Sequence, residues 1–224
     1  MKFIFFVIIS FLLLGGNTIS DVYNRNLPAS ASDSLDESRL DLDGPYIIYR
    51  NGFAVIKQVL KIENAYYPAA DSTTGSVKGK LITCNVNDSV YFNTTIKDTL
   101  INENCIFEMP EKIIAISDIE GNFVAFRDFL VNNGVLNNEN QWVFGSGHLV
   151  LNGDFFDRGL NVTECLWFIY HLEQEAVKNG GYVHFILGNH EIMNMNDDIR
   201  YVRNKYTETS KFLNEDYKNL YKTN

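Results

Sequence analysis

Three short apolar runs, Ile113–Ser117, His148–Leu151 and Tyr182–Leu187, each lead into a polar, glycine-flanked cluster. The clusters read Asp118-Ile119-Glu120-Gly121-Asn122, Gly153-Asp154-Phe155-Phe156-Asp157-Arg158-Gly159 and Gly188-Asn189-His190-Glu191. Asp154 lies 36 positions after Asp118, and Asn189 lies 35 after Asp154. A crossover between parallel strands needs a dozen or more residues, so each gap has room for one. The first gap carries Phe123, Phe126, Phe129 and Leu130 at helical spacing, and the second a helix-length stretch from about Asn161 to Lys178. Continuous apolar runs separated by such stretches predict strands covered on both faces, in a βαβαβ order. Side chains at the carboxyl ends of parallel strands converge on one crevice, so the three clusters are expected to meet.

Each cluster alone has an ordinary reading: Asp118 as a helix N-cap, Asp154 and Asp157 in a glycine turn, Asn189-His190 in a solvated loop. Together they define a chemistry. The glycines permit a tight exit from each strand, the carboxylates and the amide offer hard oxygen ligands, and Arg158 offers a planar fork suited to phosphate. That set suits metal-assisted attack on phosphorus.

The same three strings resemble the DxHGN, GDxxDRG and GNHE signature of the metallophosphoesterase, or calcineurin-like phosphoesterase, superfamily. Tyr201-Val202-Arg203 resembles the Shewanella-like branch of the phosphoprotein phosphatases. The resemblance covers about residues 112 to 206 and implies the first βαβαβ portion of a β-sandwich flanked by helices, an α/β fold of the α+β sandwich type. It further implies that Asp118 binds a first metal, that Asp154 bridges two, and that Asn189 binds the second. By the same resemblance, His190 is the general acid for the leaving oxygen, Asp157 orients its ring, and Arg158 clamps the phosphate. Two divalent ions would activate a bridging water for in-line displacement. The implied substrate is a phosphorylated small molecule or a phosphoprotein.

Two departures from the signature matter. Glu120 stands where the signature has histidine, which makes it an anionic oxygen ligand and moves the expected metal toward Mn²⁺, with Mg²⁺, Fe and Zn²⁺ as alternatives. The family's later metal-binding histidines and second sheet lie beyond GNHE, and the chain stops at Asn224. The expectation is therefore a C-terminally incomplete catalytic domain over 111–224, marginally stable because one face of its sheet lacks a partner layer. His148, His171 and His184 precede GNHE and are read as structural. The alternative reading is a non-catalytic remnant in which the upstream β module binds something.

Upstream, Lys2 precedes Phe3–Leu14, which carries no charge, and Gly15–Ser20 follows. That run is shorter than the roughly 20 residues of a membrane span, so residues 1–20 read as an export signal and the protein as periplasmic or secreted, with no other membrane contact. Residues 21–43, rich in Ser, Asp and Asn, read as a disordered linker. Residues 44–110 read as a small antiparallel β module, with Asn51-Gly52 as a hairpin turn between Tyr46–Arg50 and Phe53–Ile56. Further strands are expected at Lys80–Val86 and Ser89–Ile96. A last helix is expected from about Asp197 to Tyr221.

Composition narrows the partners. Nineteen basic against 28 acidic side chains give a formal charge of −9 with no basic run, which argues against nucleic acid. Three cysteines form neither a disulfide scaffold nor a CxxC site. Cys84 and Cys105 can pair in an oxidising compartment, whereas Cys165 reads as a buried thiol. Phe155 and Phe156 are expected to pack under their loop, and Glu191 reads either as a partner to the site or as a surface residue.

Overall fold

The computed structural model describes residues 40–220 apart from 51–52, 75, 103 and 105. The expected export signal and most of the expected linker lie outside the described residues. So do the Asn51-Gly52 turn and Cys105. Among the described residues no helix is long and apolar enough to cross a membrane.

Strands β1 (Asp43–Arg50), β2 (Phe53–Ile62) and β3 (Ala65–Thr74) form an antiparallel sheet in that order. Arg50 pairs with Phe53, the register a two-residue connection imposes. β3 was not expected from the sequence. Its polar string AYYPAADSTT lacks apolar alternation, and Pro68, opposite Val59, is tolerated because β3 is an edge strand. β4 (Leu81–Asn85) and β5 (Tyr91–Thr95) form a separate hairpin. Leu40, Leu42 and Asp43, assigned to the linker by composition, are buried, so ordered structure starts before position 44.

The βαβαβ unit follows as β6 (Ile113–Ile116), α1 (Phe123–Asn132), β7 (His148–Asn152), α2 (Val162–Lys178) and β8 (Tyr182–Ile186). Its three strands are parallel in the order β6-β7-β8. Leu149, Leu151 and Val183 join Phe126 and Leu130 of α1 and Phe168 and Leu172 of α2 in one core, with Ile114, Ile116 and Phe185 packed against it. Cys84, Val86 and Phe92 of the β4–β5 region belong to that same core. The Phe92 ring lies 5.3 Å from Phe168 and 6.1 Å from Phe123. Trp167 Nε1 donates to Pro45 O at 2.7 Å, and Tyr170 Oη accepts from Lys97 N at 2.6 Å. Helix α2 is thus packed against the parallel sheet on one side and the upstream strands on the other.

On the sheet's other face, His148 Nδ1 and His184 Nε2 share a hydrogen bond of 3.0 Å beneath Phe107. Burial and the neighbouring His184 both lower the pKa of His148. Ile113 and Ile186 on this face remain 59% and 48% exposed, consistent with a sheet face short of a covering layer. After β8 come three short helices, α3 (Asn189–Met195), α4 (Asn204–Phe212) and α5 (Tyr217–Leu220), the last two standing in place of the single helix expected from about Asp197 to Tyr221. Asp197 and Asn214, at φ 64° and 56°, interrupt the helical run.

Glu164, in the first turn of α2, is fully buried and neither carboxyl oxygen has a hydrogen-bond partner among the described residues. Burial raises its pKa to about 8 against the opposing effect of Lys205, whose Nζ lies 3.8 Å away, while Asp43 adds repulsion. Lys205 is itself raised, because Asp43 and Glu164 outweigh its desolvation, so it stays charged through neutral pH. A carboxyl with a raised folded pKa stabilises below its unfolded value and loses that contribution as pH rises through the folded value. The protein should therefore lose stability between about pH 4.5 and pH 8, and Glu164→Gln should lose less, by urea denaturation across that range. Equal slopes would contradict this assignment.

Candidate active site

The three clusters meet at the carboxyl ends of β6, β7 and β8, and backbone hydrogen bonds hold them together. Asp118 N donates to Gly153 O at 3.2 Å, Glu120 N to Asp154 O at 2.9 Å and Gly121 N to Phe155 O at 2.9 Å. Glycine makes the approach close enough. A Cβ on Gly153 would lie 2.3 Å from Gly188 N, and one on Gly159 would lie 2.2 Å from Glu120 O, neither tolerable for any other residue. Asp118, Glu120, Asp154, Asp157 and Arg158 all adopt positive φ, between 48° and 71°. Left-handed backbone at non-glycine residues concentrates where surrounding structure enforces it, and functional loops are the usual place.

At Asp154 it is enforced by Glu191. Its carboxylate, 1% exposed, accepts from Gly188 N at 2.7 Å, Asp154 N and Phe155 N at 2.8 Å, and Phe156 N at 3.2 Å. Of the two sequence readings of Glu191, the structure selects the partner to the site. Phe155 and Phe156 are both buried, Phe155 in the main core and Phe156 in a smaller cluster with Val162, Tyr206 and Tyr217.

His190 and Asp157 come together in the interior. His190 Nδ1 lies 2.7 Å from Asp157 Oδ2, and both residues are buried. A carboxylate can only accept, so Nδ1 donates and Nε2 is the nitrogen left for chemistry. Asp157 Oδ1 accepts from Asn194 Nδ2 at 2.9 Å, and Asn194 Oδ1 accepts from Tyr217 Oη at 2.8 Å. Asn194 was missed from the sequence. Its signal is the four-residue spacing from His190 on α3, which puts both side chains on one helix face.

The remaining candidates lie at the mouth. Arg158 is half-exposed, forms an ion pair with Glu120 and lies over the Tyr201 ring at 5.2 Å. Asp118 is exposed and accepts from Ser117 Oγ at 2.5 Å. Asp154 Oδ1 accepts from His190 N at 3.0 Å, and Asn189 is exposed at the start of α3. Asp118, Asp154 and Asn189 supply the oxygen donors that hard divalent ions take. They are too few: among the described residues no three His, Cys, Asp or Glu side chains are grouped so as to hold a metal ion. Glu120 is engaged by Arg158, because opposite charges at two adjoining loop tips attract.

The open crevice at the ends of the parallel strands thus holds a buried His–Asp pair beside an arginine. The chain belongs to the calcineurin-like phosphoesterase family, whose profile matches residues 111–224; that family implies the use of divalent metal ions. The chain is 38% identical over 102 residues to Shewanella-like protein phosphatase 2 of Arabidopsis thaliana, across 46% of this chain and 26% of that protein. It is 36% identical over 97 residues to Shewanella-like protein phosphatase 1 of Plasmodium berghei, across 43% and 27% respectively. Its structure is similar to that of a cold-active protein tyrosine phosphatase of a psychrophilic Shewanella, with TM-score 0.67, 29% identity and coverage of 81% of this chain and 53% of that one. A second structure of a cold-active protein tyrosine phosphatase, solved at 1.1 Å, gives TM-score 0.68 at 28% identity over 81% of this chain and 52% of the other. The chain thus spans about a quarter of the curated relatives it matches and about half of the solved ones.

Removing the Glu191 carboxylate strands four backbone donors, two of them buried, so Glu191→Ala should cost about 3–5 kcal/mol and Glu191→Gln an intermediate amount. The check is the urea midpoint of each variant. A midpoint unchanged in Glu191→Ala would show that the loops hold without it.

Proposed function

We propose that this protein is a metal-dependent phosphomonoesterase and that Asp118, Glu120, Asp154, Asn189, Asp157, Arg158 and His190 form its contribution to the active site. The observation that carries the reading is the buried His190–Asp157 hydrogen bond of 2.7 Å beside Arg158, at the carboxyl ends of three parallel strands. Arg158 binds phosphoryl oxygens through its planar fork. His190, held by Asp157 through Nδ1, gives a proton from Nε2 to the leaving oxygen. Asn194 and Tyr217 keep Asp157 from rotating away. Two divalent ions, Mn²⁺ being the choice that oxygen donors favour, would be held by Asp118, Asp154 and Asn189 and would supply Lewis-acid chemistry there.

The substrate we favour is an aryl phosphate of the phosphotyrosine kind, supported by the structural similarity to cold-active protein tyrosine phosphatases. The apolar run Phe3–Leu14 behind Lys2 supports export to the periplasm or the exterior. The test is hydrolysis of an aryl phosphate with added manganese. His190→Asn should lower kcat about 10²–10³-fold and Asp154→Asn should abolish the manganese-dependent part. Equal rates in wild type and Asp154→Asn would refute the assignment, and a wild-type chain without turnover would favour the non-catalytic reading.

A further inference from the structure

Beside the His190–Asp157 pair runs a cavity of about 810 Å³ lined by Arg158, Tyr201, Arg200, Arg203, Leu160 and Val202, with Asn204 and Lys205 at its end. Three guanidinium groups in one groove stand out in a chain of net charge −9. They are not equally available. Arg200 is held by both oxygens of Asp198, at 2.8 and 2.7 Å, and Arg158 by Glu120. Lys205 turns inward, donating to Leu160 O at 2.6 Å and facing Glu164. Arg203 spends only Nε, which donates to Arg158 O at 2.7 Å, and its two terminal nitrogens have no partner among the described residues. That bond fixes the guanidinium plane next to the Arg158 backbone and leaves a preorganised fork open to an anion. Tyr201, 43% exposed, forms the wall between the two regions, its ring 5.3 Å from His190, 5.2 Å from the Arg158 guanidinium and 5.7 Å from that of Arg200.

We propose that this groove selects phosphopeptides in which an acidic side chain neighbours the phosphorylated residue, the carboxylate pairing with Arg203 while the phosphoryl group occupies the Arg158 end. The inference rests on the phosphatase reading and adds the class of peptide that the site takes. A peptide is favoured over a free small phosphate because the groove continues well past Arg158 and pairs an unpartnered cation with apolar floor residues Leu160 and Val202. The interaction is charge-assisted and partly exposed, so the preference should weaken with salt.

The experiment is equilibrium binding by fluorescence anisotropy of two phosphotyrosine peptides to the full chain with manganese, one flanked by Asp and Glu and one by Asn and Gln. The acidic peptide should bind about threefold more tightly in wild type, a modest gain because the charge pair is partly exposed to solvent. Arg203→Gln should erase the difference, and Arg203→Glu should reverse it toward a Lys-flanked peptide, which a merely structural residue would not do. Equal affinities in wild type, no binding by either peptide, or a preference surviving Arg203→Glu would overturn the proposal. Competition by inorganic phosphate in the same titration separates the two readings. Acidic preference without phosphate competition would uphold the groove and count against the phosphatase site. Phosphate competition without acidic preference would do the reverse.

Discussion

The four amide hydrogen bonds to the Glu191 carboxylate fix the exit of β7 against the exit of β8, and every other feature of the crevice is positioned from there. A buried carboxylate is costly unless its oxygens are satisfied, and backbone donors satisfy both. In return they hold Asp154 in its left-handed conformation, and the same turn continues through Asp157 and Arg158, also at positive φ. That turn is what carries Asp157 under His190 and leaves Arg158 at the surface. Gly153 and Gly188 make the arrangement feasible, since any side chain at either position would collide with the opposing loop.

A second constraint is the double duty of α2. Phe168 and Leu172 belong to the same core as the parallel strands, while Trp167, Tyr170 and Gln174 bond to the upstream strands. Arg50 of β1 and Lys57 of β2 both pair with Glu215, just before α5, whose Tyr217 holds Asn194 and through it Asp157. The upstream strands therefore act on the site at a distance, by holding the segment that supports the His190–Asp157 pair.

The parallel strands and both crossover helices were legible in the sequence because continuous apolar runs and helical periodicity are strong signals, and the strand-end clusters announced the crevice. β3 was not, because an edge strand can be polar and carry Pro68. The division of the last segment into two helices was hidden because Tyr206, Leu213, Tyr217 and Leu220 keep helical spacing across an interruption at Asn214 that only backbone geometry reveals. Burial of Glu164 and Glu191 was invisible for a related reason: a charged residue gives no sign that backbone amides or packed strands will enclose it. The ion pair between Glu120 and Arg158 joins two positions 38 apart, and only the folded loops bring them together.

The proposed function turns on carboxylates at the β6 and β7 ends taking part in metal-assisted phosphoester chemistry. The most direct test is calorimetric titration of manganese into the purified chain, in wild type, Asp154→Asn and Glu164→Gln. With Asp118, Asp154 and Asn189 as the oxygen donors, the expected result is weak binding in wild type and in Glu164→Gln, and its loss in Asp154→Asn. Manganese bound by Asp154→Asn as tightly as by wild type, or by none of the three, would contradict it.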